Sequence, residues 1–212
     1  KVNYHRFMVK KIILGTAQFG LNYGINNKNN KPKTEEVFKI LNFAYSNGIQ
    51  TLDTADSYGN AELIISDFIK TFPKKTFKII TKNCPSQVSE NNITERILSS
   101  CDSFNVQQLY GFMFHNLKGL KGKVRLYDKL LNLKQQGIVK YIGISLYEND
   151  EIDYVLKNFY NFDFIQIPFN ILDNENMRYK HITEAEKKNI KVHARSVYLQ
   201  GLFFKQLNFI RK

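Results

Sequence analysis

Short β-branched or apolar runs alternate with stretches of helical apolar spacing along this chain, and that alternation limits its fold more than any other feature. The runs are Ile12–Thr16, Ile49–Ala55, Phe77–Lys82, Leu109–His115, Tyr141–Ser145, Phe164–Phe169 and Lys191–Val197, and their content predicts strands. Between them Val37, Ile40, Leu41 and Ala44, then Ile93, Ile97 and Leu98, then Val124, Leu130, Leu131 and Leu133 recur at the spacing of an amphipathic helix. Thr34 before Glu35 and Glu36, and Asn60 before Glu62, mark helix starts, while Gly48 and Gly137 mark helix ends. A strand–helix unit repeats about every 30 residues, the length a parallel crossover requires, so the pattern predicts an α/β fold with a parallel sheet. The strand runs read as apolar on both faces, as buried parallel strands should.

No linker, low-complexity tract or change of composition divides the chain, so residues 1–212 are expected to form a single domain. A domain of that size buries roughly 70% of the surface its unfolded chain exposes. The cysteines, Cys84 and Cys101, lack metal or redox spacing, and the first residues show no secretory h-region, which sets a reducing cytoplasm as the expected location. No run approaches about 18 consecutive apolar residues, so no membrane span is expected. The net charge of +12 comes from lysines scattered singly and in pairs, with no basic helix stripe and no basic segment interleaved with aromatics. Nucleic acid is therefore not an expected partner. The four histidines, His5, His115, His181 and His193, show no metal-binding spacing, and no metal site is expected.

The first loop decides between an open nucleotide-binding sheet and a barrel. It reads Gly15-Thr16-Ala17-Gln18-Phe19-Gly20, which is neither the dinucleotide fingerprint nor a phosphate-binding loop, and this favours a (β/α) barrel. In such barrels the chemistry sits at the carboxyl ends of the strands. Those ends supply Asp53 and Tyr58 after the second strand, Lys82 at the third and His115 after the fourth. Alone, each has an ordinary structural reading. Together, an acid, a phenol, an amine and an imidazole at consecutive strand ends suit proton transfer to a substrate oxygen.

Several segments carry a family resemblance. Leu14-Gly-Thr-Ala-Gln-Phe-Gly20, Leu52-Asp-Thr-Ala-Asp-Ser-Tyr-Gly59 with Glu62, Thr81-Lys82 and Phe114-His115 resemble the aldo-keto reductase superfamily. Downstream, Gly143-Ile-Ser145, Gln166-Ile-Pro-Phe-Asn170, Arg195-Ser196 and Gln200-Gly201-Leu202 are similar to that family's fifth, sixth and seventh strand ends. The resemblance implies a (β/α)8 TIM barrel and hydride transfer between NADP(H), less often NAD(H), and an aldehyde, ketone or sugar carbonyl. It implies that Tyr58 is the general acid, that Lys82 lowers its pKa, that Asp53 pairs with Lys82, and that His115 orients and polarises the carbonyl. For the cofactor it implicates Thr16 and Asp53 near the nicotinamide, Ser145 and Gln166 at its carboxamide, and Ser196 through Gln200 and Gly201 at the pyrophosphate. Two positions depart from the pattern. Leu146 stands where many relatives have Asn, and Arg195 where many have an aromatic that stacks on the nicotinamide, a role a guanidinium plane can also take. A lysine ammonium about 4 Å from a phenol, at an effective dielectric near 20, favours the phenolate by up to roughly 4 kcal/mol, which explains the value of the pairing.

Seven strand runs are readable, short of eight, and the barrel is expected to be incomplete, lacking the C-terminal βα unit. Strands one and seven would then keep edges open to another chain or a second copy. Three functions fit this sequence. They are an active reductase of a small-molecule carbonyl, a truncated remnant without turnover, and a non-catalytic cofactor-binding or regulatory module.

Overall fold

The computed structural model describes residues 11–25, 27–159, 161–173 and 175–204. Seven strands, β1 (Leu14–Gly15), β2 (Thr51–Asp53), β3 (Lys78–Asn83), β4 (Leu109–Phe114), β5 (Val139–Ser145), β6 (Phe164–Pro168) and β7 (Lys191–Arg195), form one parallel sheet in sequence order. Helices alternate with them: α1 (Ala17–Gly20), α2 (Thr34–Ser46), α3 (Ala61–Thr71), α4 (Ile93–Ser103), α5 (Val124–Gln135), α6 (Asn149–Asn158) and α7 (Glu175–Lys187), followed by helical turns over Leu199–Phe204. Each predicted strand run overlaps one of these strands, although β3 extends one residue beyond its run and β5 begins two residues before its own. The result is an open, curled half-barrel. Among the described residues β1 pairs only with β2 and β7 only with β6, and both are partly exposed along their length.

The parity of each strand sorts its residues into two layers. Leu52, Ile79, Phe112, Phe114, Ile142, Ile144, Ile165 and Ile167 are all buried in the main core, together with Val37 and Leu41 of α2, Ile65 and Phe68 of α3, and Leu130 and Leu133 of α5. Each such aliphatic or aromatic side chain contributes about 1.5–3 kcal/mol by leaving water. The opposite parity holds only a small apolar cluster, Ile80, Met113 and Phe164. This corrects the expectation of strands apolar on both faces. The inner face is apolar toward the base, while Lys82, Ser145 and Gln166 stand toward the rim. Gly143 makes room there, because a Cβ on it would lie 2.5 Å from the Phe164 ring.

The helix signals are partly displaced. The amino end of α2 is capped one residue earlier than Thr34 suggested, with the Lys33 N–H donating to Glu36 Oε2 at 2.9 Å. Asn60 precedes α3 as expected, but its side chain accepts from Lys31 Nζ (2.9 Å) instead of capping the helix. Gly48 (φ 84°) and Gly137 (φ 76°) take left-handed backbone just beyond α2 and α5, where a side chain would be strained. Ile40, Leu98 and Val124, assigned to apolar helix faces, are exposed, because the buried stripe runs through Val37–Leu41–Ala44, Ile93–Ile97–Cys101 and Leu126–Leu130–Leu133. The apolar content of residues 202–210 predicts one short helix, and that segment lies largely outside the described residues.

Candidate active site

Register brings the predicted polar residues to one rim. Gly15 pairs with Asp53, Lys82 with Met113, Ser145 with Gln166, and Pro168 with Arg195, so the carboxyl ends of β1 to β7 stand side by side. At its centre Lys82 Nζ donates to Asp53 Oδ1 in an ion pair, and both residues are buried, Lys82 at 1% exposure and Asp53 at 8%. Gln166 Nε2 donates to Asp53 Oδ2, so both carboxylate oxygens are engaged. Thr16 is fully buried, and its N–H and Oγ1 both donate to the Asp53 carbonyl (2.9 and 3.0 Å). Thr16 thus ties the end of β1 to the end of β2.

Tyr58 lies on the loop between β2 and α3, and a backbone-to-backbone contact holds that loop. A Cβ on Gly20 would fall 1.7 Å from the Tyr58 carbonyl oxygen, and one on Gly59 would meet the Gly20 carbonyl oxygen at 2.4 Å. Gly59 also has φ 57°. Only glycine lets α1 and this loop approach so closely. The Tyr58 ring is edge-on to His115 with centroids 5.9 Å apart, and Lys82 Nζ is 5.0 Å from its centroid. Asp53, Tyr58, Lys82 and His115 are therefore gathered in one place.

The environment sets the charge states. Burial holds the Tyr58 phenol well above its usual pKa, and the Asp53 carboxylate adds to the effect, while Arg195 opposes it. Burial also pulls the Lys82 pKa down, against the attraction of Asp53. His115 is pushed below its usual value by burial and by Lys82, which keeps the imidazole neutral at pH 7. Ser57 Oγ lies 3.2 Å from His115 Nδ1. With that hydroxyl as donor, the ring proton sits on Nε2, free to donate elsewhere.

Other predicted residues take different positions. Ser145 and Gln166 are buried neighbours at the rim. Leu146 is fully buried in the core, so its departure from the family pattern does not face the site. Arg195 stacks on the exposed Tyr147, with the guanidinium carbon 4.0 Å from the ring centroid. Beyond β7, Ser196 (φ 57°), Leu199 (φ 46°), Gln200 (φ 54°) and Gly201 (φ 86°) all have left-handed backbone, turning the chain sharply where the pyrophosphate residues were expected. Sequence reasoning missed Ser57 and Tyr147, whose partners come from other strand ends. It gave Glu62 no role, although Glu62 Oε1 accepts from Thr81 Oγ1 beside Lys82 and its pKa is raised, chiefly by burial. Among the described residues no cluster of three His, Cys, Asp or Glu could hold a metal ion, and no helix is long and apolar enough to cross a membrane.

The chain belongs to the aldo/keto reductase family, whose model matches residues 11–210. The chain is similar to D-arabinose 1-dehydrogenase of Saccharomyces cerevisiae, at 26% identity over 158 residues that cover 69% of this chain and 46% of the yeast enzyme. It spans about half the length of that relative. Its fold is similar to that of an aldo-keto reductase from Bacillus halodurans in its holo form, with a TM-score of 0.73 and 20% identity over 91% of this chain and 63% of that one. It is also similar to a Bombyx mori aldo-keto reductase solved in complex with NADP, with a TM-score of 0.67 and 18% identity over 87% of this chain and 62% of the other.

Proposed function

We propose that the chain is an NAD(P)H-dependent oxidoreductase that reduces an aldehyde, ketone or sugar carbonyl, with Tyr58 as general acid. The buried Asp53–Lys82 pair beneath the half-buried Tyr58, with a neutral His115 beside it, carries this reading. A phenol with a raised pKa keeps its proton at neutral pH, and a carbonyl oxygen turning into an alkoxide is basic enough to take it. His115, with Nδ1 engaged by Ser57, would donate from Nε2 to the same oxygen and fix its direction. Asp53 holds Lys82 in place, so that the ammonium electrostatically favours the phenolate left behind.

The residues present fit a nicotinamide cofactor. Ser145 and Gln166 offer paired donors and acceptors suited to a carboxamide, Thr16 and Asp53 define the wall beside them, and Ser196, Gln200 and Gly201 follow along the rim. Such a cofactor supplies the hydride when bound. NADP(H) is the proposed cofactor, with NAD(H) as the other candidate, and a cytoplasmic setting accompanies this reading. The half-exposed β1 and β7 are the edges through which two copies would pair.

The test is Tyr58→Phe in the purified chain. Turnover of a carbonyl panel with NADPH should fall by roughly 10²–10⁴-fold, while NADPH affinity, read by fluorescence, stays unchanged. Unaltered turnover in this variant removes Tyr58 from the role.

A further inference from the structure

Around Tyr58 the charged side chains are matched, with one exception. Lys82 pairs with Asp53, Asp56 accepts from Asn83 and lies 3.9 Å from Arg96, and Glu62 accepts from Thr81. Arg195 makes no ion pair among the described residues. Its guanidinium plane lies on Tyr147, and its Nη2 is shielded from solvent with no hydrogen-bond partner among the described residues. A desolvated guanidinium donor without an acceptor is unfavourable, and an oxyanion is the partner that its planar fork fits best. The stack on Tyr147 uses the face of the guanidinium and leaves its N–H edge for such a partner. Arg195 is also placed at the reacting end, since its charge lowers the pKa of Tyr58, Lys82 and His115 alike.

Resting on the reductase reading, we propose that Arg195, held flat by Tyr147, binds an oxyanion carried by the substrate, so that the preferred substrates are carbonyl compounds bearing a carboxylate or phosphate. A neutral substrate leaves the guanidinium uncompensated. An anionic one is oriented by it, with its carbonyl directed toward Tyr58 and His115.

The test compares para-carboxybenzaldehyde, para-formylphenyl phosphate and the neutral para-carbamoylbenzaldehyde as substrates of the wild-type chain and of Arg195→Met. Calorimetry measures binding of the three corresponding benzyl alcohols, and fluorescence measures NADPH binding. In the wild type an anionic aldehyde and its alcohol should be favoured over the neutral pair by roughly tenfold to a hundredfold in kcat/KM and affinity, and Arg195→Met should bring both ratios close to one. The larger of the two anionic responses identifies carboxylate or phosphate. Equal use of all three compounds by the wild type, or a preference that survives in Arg195→Met, overturns the proposal. So does a variant that loses NADPH affinity but keeps the substrate ratio, because Arg195 would then serve a cofactor phosphate. Arg195-dependent binding of the anionic alcohols without turnover of any aldehyde would leave the anion site standing and overturn the reductase reading alone.

Discussion

Replacing Asp53 by Asn would leave the Lys82 ammonium, 1% exposed, beside a neutral amide. Removing one member of a buried ion pair costs about 3–5 kcal/mol, because the other charge stays desolvated and uncompensated. In a chain of this size each kcal/mol lowers Tm by about 2–4 °C, so the variant should melt about 6–20 °C below the wild type. Lys82→Met should be comparably harmful, since the Asp53 carboxylate, 8% exposed, would keep only the Gln166 amide. The double variant carries neither charge. Its loss should fall short of the sum of the single losses by at least about 2 kcal/mol. Urea unfolding followed by circular dichroism at pH 7 gives all three values. Single losses that add to within about 0.5 kcal/mol would show that the two groups do not act as a pair and would refute the electrostatic reading of the site.

Gly20→Ala should displace the Tyr58 loop, because the added carbon would lie 1.7 Å from the Tyr58 carbonyl oxygen. Turnover should fall far more than stability, as read by kcat beside a melting curve. Gly143→Ala presses on the Phe164 ring at 2.5 Å and should cost about 1–3 kcal/mol in a urea titration. His115 and His193 both have lowered pKa values, each chiefly through burial. The unfolded chain therefore binds protons at these sites first, so stability falls as pH drops below about 6.5 and continues to fall until the folded-state pKa is passed, by up to roughly 1.4 kcal/mol per pH unit for each histidine. His193→Gln should remove one proton from that slope, as measured by urea midpoints across this range.

The seven strands were legible because each combines β-branched or aromatic content with turn residues on both sides. The order of the sheet followed from the regular helical crossovers. Asp53, Tyr58, Lys82 and His115 were legible for the same reason, since a parallel strand carries its last residues to one rim wherever its helix lies. What escaped the sequence depended on partners distant in the chain. Ile40, Leu98 and Val124 satisfy a loose helical period, yet only the packing of each helix on the sheet decides which stripe is covered. The mixed inner face was hidden because Gly111, Gly143 and Lys82 read as interruptions or ends of apolar runs. The raised pKa of Tyr58 depends on burial and on the nearby Asp53 carboxylate, which no spacing encodes. Tyr147 over Arg195 joins the ends of β5 and β7, 48 residues apart by their numbering.

The most direct test of the reductase reading is the fate of a single hydrogen. The purified chain is incubated with a panel of anionic and neutral aldehydes and NADPH deuterated at its transferable hydride, and the alcohols formed are analysed by mass spectrometry. Deuterium on the carbinol carbon, lost in Tyr58→Phe while NADPH still binds, is the predicted result. Saturable NADPH binding with no deuterated alcohol from any member of the panel would contradict it and leave a cofactor-binding module in place of an enzyme.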